Sequence, residues 1–436
     1  MINITSKSKW PILALLLIIF YIIIFYFVLT YKFPLDFSSL YYAGQNLIEG
    51  INPYSSLFAN HLEQSRELPA NLNPPFAILL FSPLNYLSFI NALTFWSIFS
   101  FILGLIGAYI SFKYAFSKSF IKKNWPYLYI FYLSFFATII DTAIAQLGAL
   151  ILFLIMIGYH YYKNHNDYAA GLCWGIIISI KLFPALLFIF ALIKKRYKIC
   201  ACIIIVFFLS WLIPFLIYGN TIFTEYFITL SKVDWYGDNW NGGVYGLISR
   251  LFVDTNYNTN DLLAAKITFC ITFFISMIFY IYKLKIMDKE NIEHKSFCFT
   301  LVIMLILSPF GWLYYFPILV LPLSLIILET IINNKSILKI FLCFICLDFI
   351  NFPIDYTSID NMESLVSKLT IHSFYSYGLL ILLYLVNKMN AVDQSSYILQ
   401  NTKKRLDYNY VTILFCIFSF NIFVFLLSLS KSFLNL

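Results

Sequence analysis

The chain has 436 residues and a formal net charge of +8, and 61% of its residues are hydrophobic whereas only 11% are charged. A soluble domain carries about 25% charged residues, so this composition excludes a protein that covers itself with polar side chains in water. Long apolar stretches repeat from end to end, which excludes a transmembrane barrel of alternating polarity and predicts an all-α polytopic bundle of about 12 or 13 spans, organised as one domain over residues 1–436.

The basic residues lie in short clusters between the apolar stretches, as the positive-inside rule expects for cytoplasmic loops. The clusters lack the interleaved pattern of a groove-reading surface, so we predict membrane lipids and no nucleic acid as partners. Lys7 and Lys9 place the N-terminus in the cytoplasm, and a multi-pass chain in the inner (plasma) membrane is expected. The clusters are Lys194, Lys195, Arg196 and Lys198; Lys283, Lys285, Lys289 and Lys295; and Lys403, Lys404 and Arg405.

The first predicted span covers residues 10–31, and the first extracytoplasmic loop follows it at residues 32–73. Asp36 is the first acidic residue and comes only a few positions after the apolar run, so it should lie at a membrane surface. Apolar residues then recur at near-helical spacing, which predicts a short amphipathic helix lying along the membrane. Gly50 and the turn residues after it end this helix.

An apolar stretch over residues 74–112, interrupted at residues 85–91, predicts two short spans or, alternatively, a re-entrant pair. Several lysines follow it within residues 113–123. If the stretch crosses the membrane twice, these lysines lie outside and violate the positive-inside rule. Either the stretch does not cross twice or this loop is an exception, and the sequence leaves both possibilities open.

The remaining apolar stretches continue the bundle around a second extracytoplasmic loop at residues 218–263, and amphipathic helices are expected in both outer loops. One hairpin has its turn near Asp141, and one predicted span contains Lys181. The predicted spans are residues 126–140, 146–162, 168–193, 199–217 and 264–282, two that flank Ser308-Pro309 and end near residue 332, and then 338–352, 371–386 and 411–429.

Asp36 is the best-placed carboxylate for chemistry at the outer boundary of the membrane. One carboxylate suffices for glycosyl transfer from a sugar on a lipid phosphate, because the phosphate leaves as a stable anion and the acceptor hydroxyl needs only a general base. The departing phosphate needs positive charge. Lys181, inside an apolar stretch, and Arg250, near the end of the second outer loop, are candidates for that charge.

Each of these residues also has a structural interpretation. Asp36 could be a solvated loop residue, Lys181 could extend toward the cytoplasmic end of its span, and Arg250 could anchor a helix end. Asp141 and Asp348 are further acidic candidates within apolar segments, although Asp141 could simply mark a turn. The histidines are scattered, so no metal site is predicted.

A series of short motifs follows Asp36 along the chain. The motifs are residues 41–44 (YYAG), 50–54 (GINPY), 73–75 (NPP), 82–84 (SPL), 146–148 (QLG), 171–184 (GLCWGIIISIKLFP), 241–250 (NGGVYGLISR) and 308–312 (SPFGW). In this order, over about residues 36–322, the series resembles glycosyltransferase family 87. Its members are membrane enzymes of the GT-C superfamily that use polyprenyl-phosphate sugars, and they include mycobacterial mannosyltransferases.

The resemblance implies a GT-C-like bundle that moves a hexose, mannose by default, from a polyprenyl-phosphate sugar donor to a lipid or glycan acceptor outside the cytoplasm, with inversion. It assigns the general base to Asp36, and the lysine before the proline in the family maps to Lys181. With Arg250, the candidate from the second outer loop, Lys181 is expected to bind the donor phosphate, and this scheme requires no metal or other cofactor. The expected pocket residues are Tyr41, Tyr42, Asn52, Tyr54, Gln146, Asn241, Trp312 and Tyr314.

Two positions depart from the pattern of the family. Tyr314 stands where relatives often carry a histidine, and a tyrosine does not titrate near neutral pH. This departure implies a different handling of the acceptor or phosphate, or another substrate. Ala145 stands where a glycine usually precedes Gln146, which we interpret as a minor change.

Two functions of other classes stay open on the sequence. A transporter or flippase of lipid-linked substrates would also need a cationic cavity open to lipid, but it would not need Asp36. Such transporters normally show internal repeats, which are not evident here. An inactive scaffold of an envelope-glycan pathway is compatible with the departure at Tyr314.

Overall fold

The computed structural model of the protein describes residues 10–31, 35–61, 66–252, 259–290, 293–332, 337–354 and 365–389. Within these ranges the chain is a helical bundle, which confirms the predicted all-α class. Its described strands are β1 (Leu57–Phe58) and β2 (Glu67–Leu68), which pair antiparallel in the first loop. The predicted last span, residues 411–429, and the basic cluster before it lie outside the described residues.

The helices follow one another with mostly short connections. The first are α1 (Trp10–Tyr31), α2 (Leu35–Ile48), α3 (Pro75–Phe81), α4 (Phe89–Ala115), α5 (Lys118–Ser134), α6 (Phe136–Ala143), α7 (Gly148–Lys163), α8 (Asp167–Ile180) and α9 (Leu186–Ile193). They are followed by α10 (Tyr197–Tyr218), α11 (Thr221–Ser231), α12 (Val244–Phe252), α13 (Thr259–Lys289), α14 (Glu293–Leu307), α15 (Val320–Ile332), α16 (Ile337–Asn351), α17 (Leu365–Leu369) and α18 (Phe374–Lys388). Short 3-10 segments lie at Ser82–Tyr86, Phe183–Ala185, Trp235–Gly237, Leu313–Leu319 and Ile371–Ser373.

Five helical segments of the described chain are long and apolar enough to cross a membrane, or six if α5 and α6, bent by 61°, form one broken span. This number is below the predicted total of about 12 or 13, because it covers only the described residues and because several apolar stretches are divided into helices too short to cross alone. The bundle therefore combines full spans with shorter apolar helices. The five segments are Phe89–Ala115, Tyr197–Tyr218, Leu262–Lys289, Leu313–Thr330 and Leu365–Lys388.

The centre and the periphery of the bundle differ sharply in burial. In Leu313–Thr330, 83% of the residues are buried, whereas in the most apolar part of Leu262–Lys289 only 6% are. The 3-10 segment Leu313–Leu319 and α15 thus lie at the centre, and α13 lies at the edge with its apolar side chains exposed. In a membrane, this edge is the part of the protein that faces lipid.

Small residues let helices approach closely inside the bundle. A Cβ added to Gly171 on α8 would lie 2.5 Å from the Cβ of Cys202 on α10, and one added to Gly175 would lie 2.7 Å from the Cβ of Val206. Two glycines four residues apart lie on one helix face, so the backbones of α8 and α10 can pack against each other there.

The first outer loop begins as the sequence predicts. α1 matches the predicted span, and α2 is the predicted amphipathic helix, with Phe37, Leu40 and Leu47 buried. Gly50 follows its end with a φ of +74°, in the left-handed region that glycine adopts without strain. Asp36 occupies the first turn of α2, where the helix dipole favours a negative charge.

The apolar stretch after this loop does not form two spans. The helical part Pro75–Tyr86 rises only about 18 Å, against about 30 Å of hydrocarbon in a bilayer. α4, in contrast, has 27 residues and qualifies as a full span. Helix length therefore favours the alternative in which this stretch crosses once, and that alternative removes the conflict with the positive-inside rule at residues 113–123.

Candidate active site

Lys181 lies at a break in the helix and not in the middle of a continuous span, which corrects the prediction of one span over residues 168–193. α8 ends at Ile180, and Lys181 is extended, with φ −142° and ψ 130°. Pro184 follows within a 3-10 turn before α9 begins. Proline removes a backbone donor and disfavours a helical conformation before it, which explains the break.

A tight turn between α6 and α7 positions Gln146. The Gln146 N–H donates to the Asp141 carbonyl at 3.0 Å and the Ala145 N–H donates to the Thr142 carbonyl at 3.2 Å. These two hydrogen bonds form a Schellman motif with Ala145 at φ +52°, in the left-handed region. The usual glycine at this position therefore has a structural reason, and Ala145 holds the same backbone conformation at some strain.

Asp141 holds the other side of this turn. Its Oδ1 accepts from the Gly148 N–H at 2.7 Å and its Oδ2 accepts from the Ala149 N–H at 2.9 Å. Both donors belong to the first turn of α7, so the carboxylate caps that helix. This geometry favours the interpretation of Asp141 as a turn residue. Asp348 lies on α16, which packs against α15 and α18, and no described interaction joins it to Asp36.

The hydrogen bonds of Gln146 fix the orientation of its side-chain amide. The Leu147 N–H donates to Gln146 Oε1 at 3.0 Å. Since the oxygen is engaged by its own backbone, the NH₂ group is the end that remains to donate to a carboxylate. Gln146 acts on Asp36 as a hydrogen-bond donor that lowers the pKa of its carboxyl, so the turn between α6 and α7 brings this amide to the start of α2.

Asp36 stands at the centre of a small group of polar side chains, which we call the Asp36 group: Asp36, Gln146, Lys181, Tyr314 and Tyr315. Burial raises the pKa of the Asp36 carboxyl, while the hydrogen bond from Gln146 and the charge of Lys181 act in the opposite direction. The carboxylate also interacts electrostatically with both tyrosines. The group combines a partly buried carboxylate with an ammonium whose charge acts on it.

The 3-10 segment Leu313–Leu319 supplies the tyrosines of the Asp36 group. The Lys181 ammonium lies 5.6 Å from the centre of the Tyr315 ring, within the range of a cation–π contact. Tyr315 is absent from the residues predicted from the sequence. Its position next to Tyr314 in the sequence could have indicated it. The segment is a 3-10 helix, however, so its side chains do not follow the α-helical spacing used for prediction.

Gly148 lets this 3-10 segment approach the turn that carries Gln146. A Cβ added to Gly148 would lie 1.9 Å from the Tyr314 carbonyl oxygen and 2.6 Å from Asp141 Oδ1. No side chain fits in that space. The contact between α7 and Leu313–Leu319 therefore depends on glycine. It brings Gln146, in the turn before α7, toward the tyrosines of the 3-10 segment.

Asn241 is fully buried and connects the second outer loop to the loop before Trp312. Its Nδ2 donates to the Pro309 carbonyl at 2.8 Å, and its Oδ1 accepts from the N–H groups of Gly243 at 3.0 Å and Gly311 at 3.1 Å. Asn241 and Trp312 also form an isolated β-bridge. Asn241 thus fixes the backbone from which Trp312 extends.

A row of stacked aromatic rings leads from the Asp36 group to the exposed edge of the bundle. Successive ring centroids lie 6.3, 6.1, 5.1, 4.3 and 4.4 Å apart, and neighbouring planes are inclined by 30° or less. Tyr245, Trp312 and Tyr314 are buried, so these rings pack mainly against one another. We call it the aromatic row; in order its members are Tyr314, Trp312, Phe310, Tyr236, Tyr245 and Phe269 of α13.

Arg250 is buried within the second outer loop and engages all of its side-chain nitrogens. Nε donates to Ser373 Oγ at 3.0 Å, and one terminal nitrogen donates to Ser376 Oγ at 2.8 Å. The other terminal nitrogen donates to the carbonyls of Asp238 at 2.8 Å and Asn241 at 3.2 Å, and the burial lowers the pKa of Arg250 to about 10. These bonds favour its interpretation as an anchor.

Asp238 is an acidic residue near the site that the sequence predictions omit. Burial raises its pKa, opposed by a hydrogen bond from the Trp240 N–H and by the charges of Arg250 and His372. Asp238 also interacts electrostatically with Tyr314. Only the folding of the second outer loop brings this carboxylate near the 3-10 segment, so no sequence spacing marks it.

Four predicted pocket residues form hydrogen bonds within or next to the first outer loop. Tyr41 donates to the Leu87 carbonyl at 2.9 Å, and the Tyr42 hydroxyl lies 3.0 Å from His61 Nδ1. The Asn52 Oδ1 accepts from the Tyr54 N–H at 2.9 Å, and the Tyr54 hydroxyl donates to the Asn73 carbonyl at 2.8 Å. These contacts hold the loop that presents α2, and none of the described ones joins these residues to Asp36.

The site residues predicted from the sequence therefore fall into separate groups in the structure. Asp36, Lys181, Gln146 and Tyr314 come together, Asn241 supports Trp312, and the remaining residues brace the two outer loops. In the described part of the chain, no group of three or more His, Cys, Asp or Glu side chains is placed to hold a metal ion.

Comparison with known proteins gives one match. The family model described as "Glycosyltransferase family 87" matches residues 71–309, more than half of the chain. The matched region contains Gln146 and Lys181, whereas Asp36 precedes it and Tyr314 follows it. No curated protein and no solved structure matches the chain.

Proposed function

The chain belongs to glycosyltransferase family 87, and we propose that this membrane glycosyltransferase moves a hexose, with mannose as the first candidate, from a polyprenyl-phosphate sugar to a lipid or glycan acceptor. The transfer would take place on the extracytoplasmic side of the inner membrane, with the N-terminus in the cytoplasm. The observation that carries this proposal is the meeting of Asp36, Gln146 and Lys181 near the 3-10 segment: Gln146 and the charge of Lys181 both act on the Asp36 carboxylate, and Lys181 lies over the Tyr315 ring.

The proposed reaction is an inverting displacement at the anomeric carbon of the donor. The acceptor oxygen forms the new bond to this carbon while its proton passes to the Asp36 carboxylate. The bond from the anomeric carbon to the phosphate oxygen breaks, and the polyprenyl phosphate leaves with the bonding electrons. Because the leaving group is a stable anion, one carboxylate acting as general base is sufficient.

Burial supports the role of Asp36 as a base. A buried carboxylate loses part of the hydration that stabilises its charge, which raises its pKa and makes it a stronger proton acceptor. The hydrogen bond from Gln146 and the charge of Lys181 keep the ionised form accessible. The group is therefore suited to receive a proton in the transition state.

Lys181 is the proposed partner of the departing phosphate. Its ammonium lies over the Tyr315 ring and interacts electrostatically with the Asp36 carboxylate, so a phosphate bound there would face positive charge at the point where negative charge develops. Arg250 is proposed in a supporting role only, because its donors are engaged by the protein.

The test is a transfer assay with the purified full-length chain and a panel of radiolabelled polyprenyl-phosphate sugars, with glycolipid products as the readout. Asp36→Asn should lower the turnover by at least about 100-fold, the size of a typical general-base contribution, while binding of the donor is retained. Asp234→Asn is the matched control, because Asp234 is an exposed acid of the second outer loop. Its turnover should stay at the wild-type level.

Two results would overturn the proposal. Full turnover by the Asp36→Asn variant would show that the Asp36 carboxylate is not the general base. Movement of unmodified lipid-linked sugar across proteoliposomes, without transfer from any donor in the panel, would instead assign the chain to the transporters.

A further inference from the structure

A cluster of charged residues lies at the end of α13 that is remote from the aromatic row. Phe269 on α13 stacks on Tyr245 at 4.4 Å, and Lys283 follows on the same helix after about 14 residues, roughly 20 Å along its axis. The C-terminal end of α13 meets the N-terminal part of α14, which also packs against α18. Chemistry at this end is therefore separate from the Asp36 group.

Four basic residues that are described at this end have an acidic partner. Lys194 pairs with Asp288 at 2.9 Å and Lys339 pairs with Glu329 at 2.7 Å. Lys163 pairs with Glu293, and Arg196 with Asp167. These ion pairs join the ends of neighbouring helices and neutralise their charge.

Three lysines at this end surround a cavity and form no ion pair with any described residue. The cavity has a volume of about 190 Å³, whereas one water molecule in the liquid takes up about 30 Å³. Three lysines against one glutamate give its wall an excess of positive charge. The lining residues are Lys283, Ile286, Met287, Glu290, Lys295, Asn387 and Lys388, from α13, α14 and α18.

Lys295 is the most informative of the three. Only 8% of its surface is exposed, although it lines the cavity. It makes no hydrogen bond to any described residue, and Lys283 and Lys339 add unfavourable positive charge that Glu290 and Glu329 offset. Because the side chain lines the cavity and its ammonium has no hydrogen bond to a described residue, a ligand that supplies negative charge and acceptor oxygens would stabilise it.

We propose that this cavity is a binding site for a phosphate group, with Lys295 as its central ligand and Lys283 and Lys388 as flanking ligands. Phosphate oxygens accept several charge-assisted hydrogen bonds, and lysine is a common point-charge partner for them. The phosphate could belong to the headgroup of an anionic lipid or be free in solution. Exposed Tyr282 and Tyr384 on the flanking helices give a lipid chain apolar surface beside the cavity.

The experiment measures ligand binding to the purified full-length chain and does not depend on glycosyl transfer. Phosphatidylglycerol, phosphatidylcholine and inorganic phosphate are titrated separately onto the protein in detergent, with native mass spectrometry for the lipids and calorimetry for phosphate. Lys295→Gln and Lys388→Gln should each weaken binding by about tenfold, the value of one charge-assisted hydrogen bond. Glu290→Gln should tighten binding, because it removes the one acid of the wall.

The matched control is Lys285→Gln, which removes the same charge from the same helix at an exposed position that does not line the cavity. Selective binding of phosphatidylglycerol that is lost in Lys295→Gln and kept in Lys285→Gln supports the site with a lipid headgroup as ligand. The same pattern with inorganic phosphate alone supports it with a free anion. Absence of binding, or equal weakening by Lys285→Gln and Lys295→Gln, overturns the proposal.

Discussion

Replacing Gln146 by leucine tests whether the turn between α6 and α7 tunes the base. The substitution removes the hydrogen bond that Gln146 donates to the Asp36 carboxylate while keeping a side chain of similar size. A hydrogen bond to a charged group contributes about 1.5–3 kcal/mol. The hydrogen bond lowers the pKa of Asp36, so its loss should raise that pKa.

The sign of the expected effect follows from the role of a base. Asp36 accepts a proton only when it is ionised, which requires a pH above its pKa. In the Gln146→Leu variant the acidic limb of the kcat/KM profile should therefore move to higher pH by about 1–2 units, since 1.4 kcal/mol corresponds to one pH unit. The alkaline plateau should change less, because a less acidic carboxyl is also a stronger base.

The assay is a pH profile of glycosyl transfer with one donor and acceptor, measured for the wild type and two variants. Gln45→Leu is the matched control, since Gln45 lies on α2 and donates to the exposed Glu49 carboxylate at 2.8 Å. Its acidic limb should coincide with that of the wild type. An unmoved limb in Gln146→Leu, or a uniform loss of rate at every pH, would refute the reasoning.

Three further predictions test the geometry of the site. Lys181→Gln should lower kcat/KM by about 10- to 100-fold through the loss of one charge-assisted phosphate contact, and Lys181→Arg should recover part of it; equal rates for wild type and Lys181→Gln would contradict the phosphate role. Ala145→Gly should raise the free energy of unfolding in detergent by about 1 kcal/mol, because glycine relieves the left-handed strain; a less stable variant would exclude that strain. Gly148→Ala should lower the free energy of unfolding by about 3 kcal/mol, since its Cβ would lie 1.9 Å from the Tyr314 carbonyl oxygen. For Gly237→Ala, whose Cβ would have no neighbour nearer than 3.5 Å, the change should stay within about 0.5 kcal/mol; a similar loss in both glycine variants would contradict the packing argument.

The sequence by itself determined the class of the protein and its first elements. In a membrane, the backbone groups of a long apolar run can form their hydrogen bonds only within a helix or a closed barrel. The runs lack the alternating polarity of a barrel, so the composition predicted a helical bundle. The same physics placed α1, and the spacing of Phe37, Leu40 and Leu47 predicted the buried face of α2. The position of Asp36 could be predicted from these two helices, because the residue lies where α1 ends and α2 begins.

The positions of breaks inside apolar stretches were harder to predict. Residues 168–193 are continuously apolar apart from Lys181, and the sequence predicted one span, but the structure interrupts it before Pro184. Proline in an apolar run is compatible with both a kinked helix and a break. Packing of the short pieces against neighbouring helices decides between them, and that packing is absent from local sequence.

The tertiary structure alone decided which polar side chains meet. Tyr315 reaches Lys181 and Asp238 approaches Tyr314 across sequence separations of more than 70 residues, because glycine contacts and the buried Asn241 bring their loops together. Hydrophobic periodicity records which face of a helix is buried, but it does not record the partner of that face. The order of apolar and polar residues therefore predicts the helices. The Asp36 group, in contrast, forms only because turns that are distant in the sequence pack against one another.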